Sequence, residues 1–214
     1  MSVSNQVFLF VGGAQKSGTR SLRRYLNQHH NISIQSKPEG HFFDKDKNFI
    51  NDLPIPHLLK KYQNDFDIHE NTNLLCDITP DYIFRKESVT RIFHYNPHAN
   101  WIILLRNPID RAYSAWNMEV NRKAENLSFE EALQNEIDGG DENRTHDRFQ
   151  YIARSQYYPQ LLNLWKYFPK SQCCIYSAEL LWQEPQVVLN QILKKLNIPI
   201  NSKIDYKHVH KGVY

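Results

Sequence analysis

Residues 7–22 read Val-Phe-Leu-Phe-Val-Gly-Gly-Ala-Gln-Lys-Ser-Gly-Thr-Arg-Ser-Leu, and they constrain the fold more than any other stretch of the chain. A short apolar run rich in β-branched and aromatic residues meets glycines, a lysine and hydroxyls, and an amphipathic helical pattern follows at once. That order predicts a strand, an anion-binding loop and a helix. Gly12, Gly13 and Gly18 let the backbone turn tightly and approach an anion, while the N–H groups of the first helical turn point at it from the positive end of the helix dipole. Lys16 adds a mobile positive charge. The triphosphatase signature G-x-x-x-x-G-K-[ST] is not matched, because Lys16 lies two residues before Gly18 and Thr19 follows that glycine directly.

Further along, apolar runs alternate with helical patterns. Ser17 or Thr19 is expected to cap a helix that runs to about His29, and a short strand follows at Ile32 to Ile34. Proline and glycine in Ser36-Lys37-Pro38-Glu39-Gly40-His41-Phe42-Phe43-Asp44 place Glu39 and His41 on a loop at a strand's end. Helices are predicted over Pro56–Gln63 and Ser88–Asn96, and strands at Leu74–Asp77 and Trp101–Leu105. Asn107-Pro108-Ile109-Asp110 is a helix start, with an Asn cap, a Pro at the first helical position and an acid in the first turn; this helix extends to about Asn121. Helices over Phe129–Ile137, Gln156–Phe168 and Pro185–Leu196, and a strand at Cys173–Tyr176, complete the pattern. The polar tract from Asp138 to Asp147 is expected to be a mobile loop. The fold class is therefore α/β: a P-loop-like three-layer domain with a central, mainly parallel sheet flanked by helices. The 214 residues suit one domain. Ligands of such sheets gather at the carboxyl ends of the strands, where Lys16, Glu39, His41, Asp77 and Arg106 all fall.

Two elements carry a family resemblance. Gly13-Ala14-Gln15-Lys16-Ser17-Gly18-Thr19-Arg20-Ser21-Leu22 resembles the 5′-phosphosulfate loop of sulfotransferases that use 3′-phosphoadenosine-5′-phosphosulfate, with the heparan sulfate O-sulfotransferase branch nearest. Leu104-Leu105-Arg106-Asn107-Pro108-Ile109-Asp110-Arg111-Ala112-Tyr113-Ser114 is similar to the element in which that family holds the 3′-phosphate, by an arginine ending a strand and a serine eight residues later. The resemblance implies that Gln15, Lys16, Ser17, Gly18, Thr19, Arg20 and Ser21 bind the 5′ end of the nucleotide, and that Arg106 and Ser114 bind the 3′-phosphate. Pro38-Glu39-Gly40-His41-Phe42-Phe43-Asp44 resembles the Lys-Glu-x-His-Phe-Phe-Asp segment of the 3-O-sulfotransferases, which implies Glu39 as general base and His41 as second choice, while the 5′-phosphosulfate loop implies Lys16 as the group that neutralises the leaving phosphate. His210-Lys211-Gly212-Val213-Tyr214 is similar to the loop that closes over the nucleotide, so Lys211 and Gly212 are further nucleotide contacts. Two positions depart from the pattern. Ile78 stands where the family has a lysine that serves the active site, which argues against a heparan-type acceptor, and Val213 stands where it has an arginine. Because family members continue past that loop, the chain is expected to be truncated at its C-terminus.

The implied activity is in-line transfer of a sulfuryl group from that donor to a hydroxyl on a carbohydrate, a small molecule or a carrier-bound alcohol, with the Asp138 to Asp147 tract expected to overhang the acceptor site as a lid. Two other readings stand beside it. A P-loop kinase or NTPase would use Asp77 as a magnesium ligand after an apolar strand, and a non-catalytic nucleotide-binding module would account for Ile78 and Val213. With 26 Lys+Arg against 23 Asp+Glu the chain is not basic enough for a general nucleic-acid binder. The histidines form no ligand-spaced cluster, so no metal is expected. Cys76, Cys173 and Cys174 have neither zinc nor disulfide-scaffold spacing, and the adjacent pair is expected to be buried strand filler. With no secretory signal and no apolar run long enough to span a bilayer, the cytoplasm is the expected compartment. Oligomeric state is left open.

Overall fold

A computed structural model describes residues 8–140, 147–200 and 203–206. The expected contacts from Lys211 and Gly212, the substitution at Val213 and most of the expected lid between Asp138 and Asp147 lie outside the described residues.

The sheet has five strands: β1 (Leu9–Gly13), β2 (Ile32–Ile34), β5 (Leu74–Ile78), β6 (Asn100–Leu105) and β7 (Cys173–Ser177). Their order is β2-β5-β1-β6-β7, and every pairing is parallel. The chain moves to one side of β1 for β2 and β5, then crosses to the other side for β6 and β7. The order therefore reverses between β1 and β6, and a crevice opens there at the carboxyl ends.

Side-chain alternation along the strands builds two cores. Leu9, Val11, Cys76, Ile78, Ile102 and Leu104 face one side, where they meet α1 (Thr19–Leu26), α7 (Ala178–Gln183) and α8 (Pro185–Lys195). Phe10, Leu75, Trp101 and Ile103 face the other, against α2 (Pro56–Gln63), α3 (Lys86–Tyr95) and α6 (Tyr157–Tyr167). A smaller cluster joins α4 (Pro108–Asn121) to α5 (Phe129–Ile137) through Ala112, Ala115, Ala132 and the fully buried Tyr151. The three-layer α/β arrangement is the one expected from the alternating pattern.

Several details differ from the sequence reading. The N-cap of α1 is Gly18, not Ser17 or Thr19. Gly18 sits at φ 89, and its carbonyl accepts from the Ser21 and Leu22 amides, so no hydroxyl caps the helix. The helix stops at Leu26, and the His29 amide then turns back to the Leu26 carbonyl. A small hairpin, β3 (Phe49–Ile50) with β4 (Leu53–Pro54), was not expected, because two-residue strands are too short to show a period. Helix α7 was also missed; at six residues it rests on its cap, Ser177 Oγ accepting from the Leu180 amide. Cys173 and Cys174 are only half-buried, because β7 is an edge strand.

The close approach of β1 to its neighbours requires glycine. A Cβ on Gly12 would run into the Trp101 ring, which is fully buried and lies 5.6 Å from Phe10 and 5.4 Å from Phe168 between ring centroids. An indole so enclosed has nowhere to go. Gly12→Ala is expected to destabilise the fold by about 1–3 kcal/mol, the usual range for overpacking, read as a lower midpoint in urea denaturation.

Candidate functional site

The loop after β1 is pinned at the sheet's rim from both sides. The Thr79 amide donates to the Val11 carbonyl (3.2 Å) and the Ile83 amide to the Gly12 carbonyl (2.8 Å), while the Ala14 amide donates to the Leu104 carbonyl (2.6 Å). Within it Lys16 takes a left-handed φ of 69, a conformation that costs energy for a residue with a Cβ and that collects at ligand-binding turns. With Gly18 as a cap that lacks a side chain, and with no acid in the first turn, the leading amides of α1 are left for an anion. Ser17 is fully buried, Thr19 and Ser21 are buried, Gln15 and Lys16 are half-buried and Arg20 is exposed.

Arg106 enters the same rim from β6. Its guanidinium donates to the Lys16 carbonyl (3.4 Å), and its own carbonyl accepts from the Tyr157 hydroxyl (2.9 Å). Asn107 caps α4 as expected, its side chain accepting from the Ile109 and Asp110 amides. The Lys16 Nζ lies 3.7 Å from Met118 Sδ on α4. Ser114, which is 8% exposed, is four residues earlier on the same helical face. Lys16, Arg106 and the Ser114 face of α4 thus share one end of the sheet.

The loop bearing Glu39 and His41 reaches that rim over β5. His41 also has a left-handed φ, 49, and its ring bridges two carboxylates: Nε2 to Glu39 (3.1 Å) and Nδ1 to Asp44 (2.5 Å). Hydrogen bonds to Asp44 and then to Glu39 push its pKa up to about 10, outweighing the opposing effect of burial. His41, Asp44 and Asp81 bring ligand atoms within 4.8 Å of one another, a set that could in principle hold a cation. The same atoms are engaged otherwise, the His41 ring with Glu39 and Asp44 and the Asp81 carboxylate with Arg154 (2.8 Å). On the inner side, Arg23 donates to the Gln35 (2.5 Å) and Pro38 (3.4 Å) carbonyls; burial lowers its pKa.

Asp77 has a part that sequence reasoning missed. It is fully buried, Oδ2 accepting from the Tyr62 (2.8 Å) and Tyr82 (2.9 Å) hydroxyls and Oδ1 from Thr79 (2.7 Å). Thr79 Oγ1 in turn accepts from the Gly40 amide (3.2 Å), and the Tyr82 hydroxyl from the Phe42 amide (3.1 Å). The carboxylate therefore hangs the Glu39–Phe42 loop from the sheet, and its enclosure by hydroxyl donors is unlike the open magnesium aspartate of a kinase. Nothing in an isolated Leu-Leu-Cys-Asp run distinguishes the two roles; only the tyrosines around it do.

A parallel sheet with a glycine loop after its first strand, and with a second basic element beside that loop, defines a P-loop-like domain. The chain belongs to the sulfotransferase family, whose domain matches residues 7–211. It is 28% identical over 207 residues to human heparan sulfate glucosamine 3-O-sulfotransferase 5, a match covering 94% of this chain and 57% of the relative. It is 30% identical over 134 residues to membrane-associated sulfotransferase kil1 of Dictyostelium discoideum, covering 60% of this chain and 27% of that protein. The chain thus spans about half the length of the heparan sulfate relative. Among solved structures, a sulfotransferase from Alicyclobacillus acidocaldarius superposes with a TM-score of 0.81 at 27% identity, covering 97% of this chain and 87% of that one. A mouse sulfotransferase complexed with PAP shares the fold, at a TM-score of 0.52 and 12% identity over 94% of this chain and 62% of that one.

The buried carboxylate has a pH signature. Desolvation raises Asp77 from 3.8 to about 6, although its three hydroxyl partners pull the other way. The folded state thus holds this proton more tightly than the unfolded state. The associated stabilisation is full below the unfolded value and is lost as pH rises through about 6. Relative to Asp77→Asn, wild-type stability is expected to fall by about 3 kcal/mol between roughly pH 4 and 6 and to level off above, measured by urea denaturation at each pH.

Proposed function

We propose that this sulfotransferase domain takes its sulfuryl group from 3′-phosphoadenosine-5′-phosphosulfate and passes it to an acceptor hydroxyl by in-line displacement. The observation that carries the reading is the contact of the Arg106 guanidinium with the Lys16 carbonyl, which sets two cationic grips side by side at the switch point. A nucleotide phosphorylated on both sides of its ribose suits two neighbouring grips. The uncapped amides of α1 and the Lys16 ammonium would hold the 5′ end, and Arg106 with Ser114 the 3′-phosphate. When bound, the donor supplies the sulfuryl group and a phosphate leaving group. Lys16 and the loop amides stabilise charge growing at the 5′ end, while Arg106 and Ser114 fix the direction of approach.

Glu39 is the base on this reading. His41 carries its proton through neutral pH, and both its N–H groups are committed to Glu39 and Asp44, so it cannot take another proton from the acceptor. It acts as a positioning residue that holds the Glu39 carboxylate in place. The acceptor is proposed to be a carbohydrate or other alcohol that lacks a dense anionic charge, because buried Ile78 supplies no cation where the polysaccharide enzymes have a lysine.

Calorimetry in two arms, one with a chelator and one with magnesium, tests the donor. Adenosine 3′,5′-bisphosphate is expected to bind without magnesium, and binding only of ATP with magnesium would favour a kinase instead. Transfer of labelled sulfate to an alcohol panel tests the chemistry: Lys16→Ala and Glu39→Gln are each expected to lower kcat by about a hundredfold or more. Glu39→Gln should leave the bisphosphate dissociation constant unchanged. In an Asp77→Asn background, which removes the buried carboxyl that titrates at about 6 beneath the same loop, the rate should show no break in the ordinary histidine range of about pH 6–7, because His41 stays charged there.

A further inference from the structure

Trp182 lies beside both grips, and no motif singled it out. It is the fifth residue of α7, an anchored element: Ser177 caps it, Ala178 and Leu181 are fully buried, and the Glu179 carboxylate accepts from the Asn107 amide (3.1 Å) immediately after Arg106. The indole carried on this helix lies under the Arg106 guanidinium, 5.1 Å from its carbon to the ring centroid. The Nε1 edge of the ring lies beside the first grip. A Cβ placed on Gly18, whose φ is 89, would sit 3.0 Å from Trp182 Nε1. One rigid aromatic plate therefore lies against the cap of α1 and the strand-end arginine together.

We propose that Trp182 is a positioning residue that fixes the separation of the two phosphate grips and thereby makes the site select nucleotides phosphorylated on both sides of the ribose. The inference rests on the donor reading above. An arginine at a strand end has several rotamers, and a cation held over an aromatic face is confined to those in which the planar fork lies flat on the ring. The same ring lies against the α1 cap, where a Cβ on Gly18 would be crowded at 3.0 Å from Nε1, and so ties the position of the guanidinium to the start of the helix. A ligand that uses only the α1 end gains nothing from that spacing.

The test compares two nucleotides, adenosine 3′,5′-bisphosphate and AMP, by calorimetry on wild type, Trp182→Leu and Trp182→Phe. Loss of the π face in Trp182→Leu is expected to weaken bisphosphate binding by about tenfold, within the range such contacts give, while AMP affinity changes by less than about twofold. Trp182→Phe, which keeps a π face, is expected to restore most of the discrimination. Should Trp182→Leu lose its folded circular dichroism signal, Trp182→Met fills similar space without an aromatic ring and serves in its place. Equal weakening of both nucleotides, or an unchanged ratio, overturns the inference and leaves Trp182 as packing. A wild-type protein with no preference for the bisphosphate over AMP contradicts the donor reading itself, and the inference falls with it.

Discussion

The pairing of β1 with β6 is the constraint on which the rest of the molecule depends. Val11 lies opposite Ile102 and Gly13 opposite Ile103, and the register shifts between them as β1 ends. The glycine loop and Arg106 consequently leave the sheet next to each other, although they are far apart in sequence. Parallel strands make this possible, since all their carboxyl ends lie at one edge. The absence of a Cβ on Gly12 lets the Trp101 ring pack directly against β1, so packing in the core and spacing at the rim are one problem.

Asp77 has the corresponding place beneath the loop that carries Glu39 and His41. Burying a carboxylate is costly, and three hydroxyl donors offset part of that cost. In return, the Thr79 and Tyr82 hydroxyls are held as acceptors for the Gly40 and Phe42 amides, which orients a loop with no regular structure of its own. Aromatic packing completes the support: Phe42 stacks on Tyr62 at 4.6 Å, and Phe43 meets Phe10 edge-on at 5.7 Å. The left-handed backbone at His41 is maintained by contacts on both of its ring nitrogens.

Much of the architecture was legible in the sequence because its signals were local. The Asn107–Pro108 start, the apolar run ending at Arg106 and the glycines around Lys16 each carry their meaning in a few neighbouring residues. The α1 cap misled because two hydroxyls flank Gly18 and either could have bonded the first turn; the left-handed glycine settled the geometry instead. The Asp77 hub and the Trp182 plate were illegible for a different reason. Each acquires its role from partners brought in by other strands and helices, Tyr62 and Tyr82 in one case and Gly18 and Arg106 in the other. The order Glu39 before His41 came from resemblance alone, and a physical reason for it needed coordinates: only they bring the imidazole between Glu39 and Asp44, whose hydrogen bonds push its pKa up to about 10.

A crystal structure with adenosine 3′,5′-bisphosphate bound is the most direct measurement of the central claim, that neighbouring strand ends form two grips for one doubly phosphorylated nucleotide. The account predicts the 5′-phosphate on the leading amides of α1 beside Lys16, and the 3′-phosphate between Arg106 and Ser114. A nucleotide seated away from the β1–β6 crevice, or one whose 3′-phosphate points into solvent with Arg106 unmoved, would contradict it.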